Sequence, residues 1–271
     1  MALLVRSWNV FHGNALRPER RAFLEEMVRR AAADAPDVVL LQELPVWALE
    51  RLDEWSGMVA VGEVAARPSL GPLPSTAALG RALTSLNHGR FRSAFTGQAN
   101  AILVRPPLRV LDRESIALNA RRFRRAQARW LGLGLAARLA WAKERRVCQA
   151  LRLGLPDGGT MIVANLHATG YDPDQRLADA ELLRAAVFVD ALAAPDEPIV
   201  LGGDFNVPAS RSWTQAELAG PEWGFSRPGP GIDQILVRGL PVSAPERWHD
   251  DRRRVDGGLL SDHAPVDVRV G

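Results

Sequence analysis

The chain has 271 residues, 47% of them apolar and 24% charged. That balance suits a globular protein with a substantial core and excludes a disordered or disulfide-stapled one. The single cysteine, Cys148, rules out an internal disulfide and a thiolate zinc site. The pI of 9.9 goes with a net charge of only +3, and Lys143 is the only lysine, so where the arginines cluster matters more than their number.

Leu3 to Phe11 reads as a first strand, with Asn9 near its C-terminal end. No apolar leader region precedes it, and no run approaches the roughly 18–20 apolar residues needed to cross a bilayer, so a cytoplasmic monomer is expected. Pro18 opens a helical pattern in which Phe23, Leu24, Met27, Val28 and Ala31 recur at helical spacing, and Pro36-Asp37 ends it. Asp37 to Glu43 is a second buried strand that delivers Glu43 at its end. Pro45 to Trp55 reads as a helix, Met58 to Val64 as a strand, and residues 65–75, rich in Pro, Gly and Ser, as a loop. Thr76 to Leu86 is a helix and Ala99 to Val104 a strand. After the unusual stretch Arg121 to Arg146, two strands, Val147 to Leu155 and Thr160 to Leu166, are joined by the hairpin turn Pro156-Asp157-Gly158-Gly159. The second carries Asn165 and His167 into a loop ending at Tyr171.

Asp174 to Leu192 is an amphipathic helix, with Leu177, Ala180, Leu183, Val187 and Leu192 apolar. The run Pro198 to Leu201 then leads into Gly202-Gly203-Asp204-Phe205-Asn206-Val207-Pro208. Strand alternation points Asp204 and Asn206 the same way and Phe205 the other. A carboxylate and an amide so placed can bind a metal or hold and deprotonate a water. Alone, the stretch reads equally as an Asx-type turn. A Trp-containing segment (213–223), a strand over Ile232 to Val237, a charged loop (248–258) and a final strand, Val266 to Val270, follow. No repeat and no linker divides the chain, and a single domain over residues 1–271 is expected. Asn9, Glu43, His167, Asp204, Asn206, Asp233, Asp262 and His263 all fall at strand ends, where α/β folds bind ligands.

As a set, Ser7-Trp8-Asn9-Val10, Leu41-Gln42-Glu43, Asn100-Ala101-Ile102-Leu103, Ala164-Asn165-Leu166-His167, Gly202-Gly203-Asp204-Phe205-Asn206, Ile232-Asp233-Gln234-Ile235-Leu236 and Ser261-Asp262-His263-Ala264-Pro265 resemble the endonuclease/exonuclease/phosphatase superfamily. The motifs keep the family's order over nearly the whole chain. The resemblance implies a four-layer α/β sandwich, two mixed β-sheets packed face to face with helices outside, and a site at one end of the sheets. It also implies metal-assisted hydrolysis of a phosphate ester by direct attack of water. Mg²⁺, with Mn²⁺ as a substitute, suits such a site. By resemblance Glu43 is the main metal ligand, assisted by Asn9 and Asp262. Asp204 is the general base and Asn206 orients the water or the phosphate. His263 contacts the phosphate and is held by Asp233, and His167 binds phosphate or protonates the leaving oxygen. The only tyrosine, Tyr171, follows the His167 motif, where packing explains it; this argues against the abasic-site branch. The glutamate that supports the second histidine in deoxyribonucleases has no match.

The expected activity is that of a phosphodiesterase, in the first instance a nuclease. A phospholipid or inositol-phosphate hydrolase at a membrane is the alternative, and a non-catalytic phosphate-binding module the alternative of another class. The insertion at about 120–146 bears on this choice. Residues 121–146 carry nine basic side chains and one acidic one, Glu144, together with Trp130, Leu131, Leu135, Leu139 and Trp141. They read as an arm along a nucleic-acid backbone, as an amphipathic element on an anionic membrane through residues 121–142, or as a helix packed on the sandwich with a solvated charged end.

Overall fold

The apolar runs become two sheets, each with one parallel strand pair near its middle. The computed structural model describes residues 2–70, 73–88 and 95–271. In chain order, β1 (Leu3–Asn9) passes through α1 (Leu24–Ala32) to β2 (Val38–Leu44). A 3-10 turn (Val46–Arg51) and the short α2 (Leu52–Ser56) precede β3 (Val59–Ala66). The ribbon β4 (Ser69–Leu70) and β5 (Leu73–Pro74), α3 (Ala77–Leu86) and β6 (Gln98–Val104) follow. Next come β7 (Arg109–Ala117), α4 (Arg121–Trp130), α5 (Leu135–Lys143), β8 (Val147–Gly154) and β9 (Thr160–His167). Then α6 (Arg176–Leu192), β10 (Ile199–Asp204), α7 (Trp213–Leu218) and β11 (Asp233–Arg238). The last strands are β12 (Glu246–Arg247), the ribbon β13 (Arg254–Val255) and β14 (Gly258–Leu259), and β15 (Val266–Val270).

The first sheet has the order β12-β15-β1-β2-β6-β3 and the second β11-β10-β9-β8-β7. β1 is parallel to β2 and β9 to β10, while their other neighbours are antiparallel. Parallel neighbours need a crossover, and α1 and α6 supply the two. Both sheets are mixed and pack face to face, as expected from the resemblance.

The central strands β2, β6, β9 and β10 read as near-continuous apolar runs because both of their faces are covered. Between the sheets lie Val5, Leu40, Ile102, Val163, Val200, Ile235 and Val268, all buried. Outside the first sheet, Trp8, Leu41 and Leu103 meet Met27 and Val28 of α1. Outside the second, Leu201, Phe205 and Leu236 meet Leu182, Ala186 and Val189 of α6. Helix, sheet, sheet, helix are the four layers. Burying a leucine or phenylalanine side chain in such a slab contributes about 1.5–3 kcal/mol.

Several elements depart from the sequence expectation. β7 was not anticipated: Asp112, Arg113 and Glu114 interrupt any alternation, and the strand lies at a sheet edge, where charge prevents edge-to-edge pairing. The helix expected over 45–55 divides into the 3-10 turn and α2. The loop expected over 65–75 contains the β4–β5 ribbon, and its residues 71 and 72 lie outside the described residues. The charged loop 248–258 folds as a 3-10 turn and a ribbon. The insertion forms two helices, α4 and α5, whose Ala128, Leu133, Ala137 and Trp141 pack with Leu177 of α6. Tyr171 packs against the same cluster. Among the described residues no helix is long and apolar enough to cross a membrane.

Candidate active site

The C-terminal ends of both parallel pairs face the same edge of the sandwich. β1 ends at Asn9, β2 carries Glu43, β9 ends at His167 and β10 at Asp204. β11 and β15 run antiparallel to these strands, so their starts lie at the same edge. Asp233 begins β11, and the turn Ser261-Asp262-His263 leads into β15. All eight side chains singled out in the sequence are thereby brought together.

The backbone is strained where the side chains are aimed. Glu43, Asn206 and Ser261 have φ of 56°, 51° and 58°, a region costly for residues with a side chain and common at functional sites. Asn206 thus leaves the strand, and alternation holds only as far as Phe205, which turns away into the outer core. Gly203 has φ of 133°, and a Cβ there would overlap the carbonyl of Leu166 on the paired strand. Only glycine lets β10 approach β9 closely enough to set Asp204 beside His167.

Asp204 is the hub. Its Oδ2 accepts from Asn9 Nδ2 at 3.0 Å, and its Oδ1 accepts from the backbone N–H of Asn206 at 3.0 Å. His167 Nε2 lies 3.5 Å from Asp204 Oδ2 and 3.6 Å from Glu43 Oε1, and His263 Nε2 is 3.8 Å from Asp204 Oδ2. His263 Nδ1 in turn faces both oxygens of Asp233, at 2.9 and 3.0 Å. Asn206 Nδ2 donates to Ala168 O at 2.9 Å, which anchors the amide. Ser261 Oγ donates to Asn9 O at 2.7 Å and accepts the backbone N–H of His263 at 3.0 Å. Asp262 is exposed at the rim.

These contacts set the charges. Burial, reinforced by the charge of Asp233, raises Asp204 to about 7, against the opposing pull of His263 and the hydrogen bonds from Asn9 and Asn206. For His263 burial disfavours the imidazolium, but the bond to Asp233 and the charges of Asp204, Asp233 and Asp262 outweigh it and hold the ring protonated up to about 10. His167 goes the other way: burial, then the charges of Arg146, His263 and His12, push it well below the usual histidine range. Of these two imidazoles, His263 is therefore charged and His167 neutral.

The endonuclease/exonuclease/phosphatase family model matches residues 7–263. The chain belongs to that family. No curated protein matches the sequence. Among solved structures, the human Nocturnin catalytic domain, determined with a bound sulfate anion, shares 15% identity at a TM-score of 0.65, with 100% of this chain and 93% of that one covered. A mannosyl-6-phosphatase from Bacteroides thetaiotaomicron shares 15% at 0.63, covering 99% of both chains. TDP2 from Caenorhabditis elegans shares 16% at 0.60, with 100% of this chain and 74% of that one covered. These likenesses establish the endonuclease/exonuclease/phosphatase fold.

Family members are typically dependent on a divalent metal, and the residues here fit one. Burial raises the pKa of Glu43, opposed by the charge of Arg146 and a hydrogen bond from Asn9; the charge of Asp262 raises it further. His12 and His167 approach its oxygens only to 3.5 and 3.6 Å. A desolvated carboxylate with a second carboxylate's charge close by is what a hard divalent cation would offset. Asp204, Asp233 and His263 also place one ligand atom each within 4.8 Å of one another. Yet both oxygens of Asp233 face His263 Nδ1, and a protonated ring has no lone pair for a metal. That trio is a hydrogen-bonded unit; Glu43, with Asn9 and the charge of Asp262 near it, is a second place where a cation could be held.

Besides His12, four residues not singled out for the site in the sequence line the cleft or lie beneath it. Gln98 Nε2 lies 3.1 Å from His167 Nδ1, and Arg146 Nη1 lies 3.0 Å from the same nitrogen and 3.3 Å from Gln98 Oε1. An amide and a guanidinium thus stand where a supporting glutamate was sought. Beneath them Gln42 Nε2 donates to Asn165 Oδ1 at 2.8 Å, while Asn165 Nδ2 donates to Leu41 O and Ala101 O, tying the two sheets together under the cleft. Polar residues inside runs as apolar as Leu40-Leu41-Gln42 and Val163-Ala164-Asn165 were the available signal for this pair.

Proposed function

We propose that this chain is a Mg²⁺-dependent phosphodiesterase that delivers water directly to the phosphorus, with nucleic acid as the first substrate class to test. What supports the reading is the meeting of Glu43, Asp204 and the His263–Asp233 pair at one edge of both sheets. Glu43 would hold the cation, with Asn9 and Asp262 assisting. The bound ion supplies charge neutralisation for the phosphoryl oxygens.

The chain's own groups divide the rest. Asp204, gripped on both oxygens, takes the proton of the attacking water, and the anchored amide of Asn206 orients that water or the phosphate. His263, charged and steadied by Asp233, meets the negative charge that develops on the phosphate. His167 lines the same cleft and contributes a hydrogen bond to the phosphate or to the leaving oxygen. A phospholipid substrate is the second reading. It is favoured by the exposed Trp130, Leu135 and Leu139 of the insertion, which a soluble substrate does not require.

The test is a panel of single- and double-stranded DNA, RNA, phospholipid, inositol phosphates and an aryl phosphodiester, with Mg²⁺ or Mn²⁺. Asp204→Asn should reduce turnover by about 10²–10⁴-fold, the span of general-base contributions. Turnover unchanged by EDTA, or Glu43→Ala at the wild-type rate, would refute the metal assignment. Binding without turnover of any ester would favour a non-catalytic module.

A further inference from the structure

The insertion presents one face to the sandwich and another to nothing among the described residues. On the packed face, Ala137 and Trp141 of α5 are buried, and Trp141 Nε1 donates to the buried carboxylate of Glu181 at 2.5 Å. Glu181 also accepts from the backbone N–H and hydroxyl of Thr169 at 2.6 and 2.8 Å, so the helix is pinned to the loop that follows His167. On the other face, Leu135 and Leu139, one turn apart, are 74% and 63% exposed, and Trp130 at the end of α4 is 81% exposed. A helix apolar on both sides is normally buried on both sides.

Beside these apolar groups lies a cavity of about 430 Å³ lined by Arg121, Arg124, Arg125, Arg129, Arg138 and Trp141. No carboxylate contributes to its walls. Arg124 and Arg138 spend Nε on the carbonyls of Asn119 and Leu133, which fixes their forks in place. Five arginines border this one cavity, with Glu144 beside Arg121 and Arg124 in a neighbouring hollow, and such a surface suits anions that a bidentate fork can grip. Past the end of α5, Arg146 reaches His167, so the segment that leaves this element enters the candidate cleft.

We propose that the α4–α5 pair docks on an anionic phospholipid surface, the arginine-lined cavity taking headgroup phosphates and Trp130, Leu135 and Leu139 entering the interfacial layer. Charge alone would suit a nucleic-acid strand, and Trp130 would suit a base. The leucine pair decides between them, since two exposed leucines gain nothing from a phosphodiester backbone and gain burial in lipid. The pin through Trp141 and Glu181 presents the surface ready-formed. The proposal concerns binding and stands whether or not the catalytic reading holds.

The experiment is co-sedimentation of the full chain in EDTA with vesicles of phosphatidylcholine alone or mixed with phosphatidylglycerol, alongside binding of a single-stranded oligonucleotide. Omitting the metal separates docking from turnover. Binding to the mixed vesicles only is expected, with a blue shift of tryptophan emission. Arg121→Ala with Arg125→Ala should weaken it about fivefold per arginine. Leu135→Ser with Leu139→Ser should weaken vesicle binding by about tenfold or more while leaving any oligonucleotide binding unchanged. All four side chains are solvent-facing, and thermal unfolding verifies that the variants fold. Absence of binding to the mixed vesicles overturns the proposal, as does the leucine variant binding them like the parent. Oligonucleotide binding through the arginines without vesicle binding would reassign the surface to nucleic acid.

Discussion

Arg6 offers a test in which one guanidinium meets two carboxylates in opposite surroundings. It is 1% exposed, and Nε and Nη2 donate to Oδ1 and Oδ2 of Asp267 at 2.7 and 2.8 Å. Nη1 caps α1 by donating to Ala31 O and Ala33 O at 2.9 and 3.0 Å. Trp248 covers the group, its ring centroid 4.4 Å from Cζ, and donates Nε1 to Asp267 Oδ2 at 3.1 Å. Asp34, by contrast, lies 3.8 Å from Nη2 and its side chain is 58% exposed. Asp267→Asn keeps the shape but turns an amide N–H₂ toward donors, leaving a buried cation short of an acceptor. Breaking a buried pair in this way costs about 3–5 kcal/mol, against a total stability of about 5–15 kcal/mol. At about 2–4 °C per kcal/mol, Tm should fall by roughly 6–20 °C. Asp34→Asn, which tolerates the left-handed backbone at that position, should cost no more than about 1 kcal/mol. Urea unfolding followed by tryptophan fluorescence measures both, with an unchanged slope confirming two-state behaviour. If Asp267→Asn loses no more stability than Asp34→Asn, burial does not govern the strength of this pair and the reasoning fails.

Two further outcomes can be checked on the purified chain. Burial raises the pKa of Glu181 in the fold, against the hydrogen bonds from Trp141 and Thr169 and the charge of Arg146. A raised acid favours folding while it is protonated. Its contribution is therefore complete below its unfolded value near 4.5 and declines as pH rises through the folded value. Glu181→Gln removes that decline, so the stability of the wild type relative to the variant should fall from acid toward neutral pH; parallel curves would contradict it. Gly203→Ala should destabilise by at least the 1–3 kcal/mol or so of an unfavourable φ, with the overlap at Leu166 O adding to it. Gly202→Ala meets chiefly the movable end of Leu40 and should be milder; equal losses would show that the backbone contact is not the constraint.

What the sequence made legible follows from how each residue is used. β2 and β10 announce themselves by apolar runs that are unbroken up to their site residues, and β15 by the alternation of Val266, Val268 and Val270 with Asp267 and Arg269. β7 stays silent because an edge strand with a solvent face needs charge, not alternation. All eight polar residues at strand ends meet in the cleft, since two parallel pairs ending at one edge leave them nowhere else to go. Arg146 is the instructive miss. In sequence it closes a basic stretch and looks like part of a charged arm, whereas in the fold it lies against His167. Gln98, one residue before the expected strand, carries no spacing signal and becomes a partner of His167 only because β6 and β9 belong to opposing sheets. The insertion reads in sequence as either a packed or a binding element, and its α5 packs Ala137 and Trp141 while leaving Leu135 and Leu139 exposed.

The pairing of β15 with β1, Leu3 against Val270 and Ser7 against Val266, joins segments far apart in sequence. The turn carrying Asp262 and His263 is threaded into place by that strand. During synthesis Glu43, His167 and Asp204 all emerge well before the residue that supplies the charged imidazole, and the first sheet lacks β15 until translation has passed residue 270. Whatever chemistry the cleft performs must then wait for β15 to find β1. A nascent chain halted before residue 261 would carry the second sheet and most of the first around a cleft that lacks Asp262 and His263.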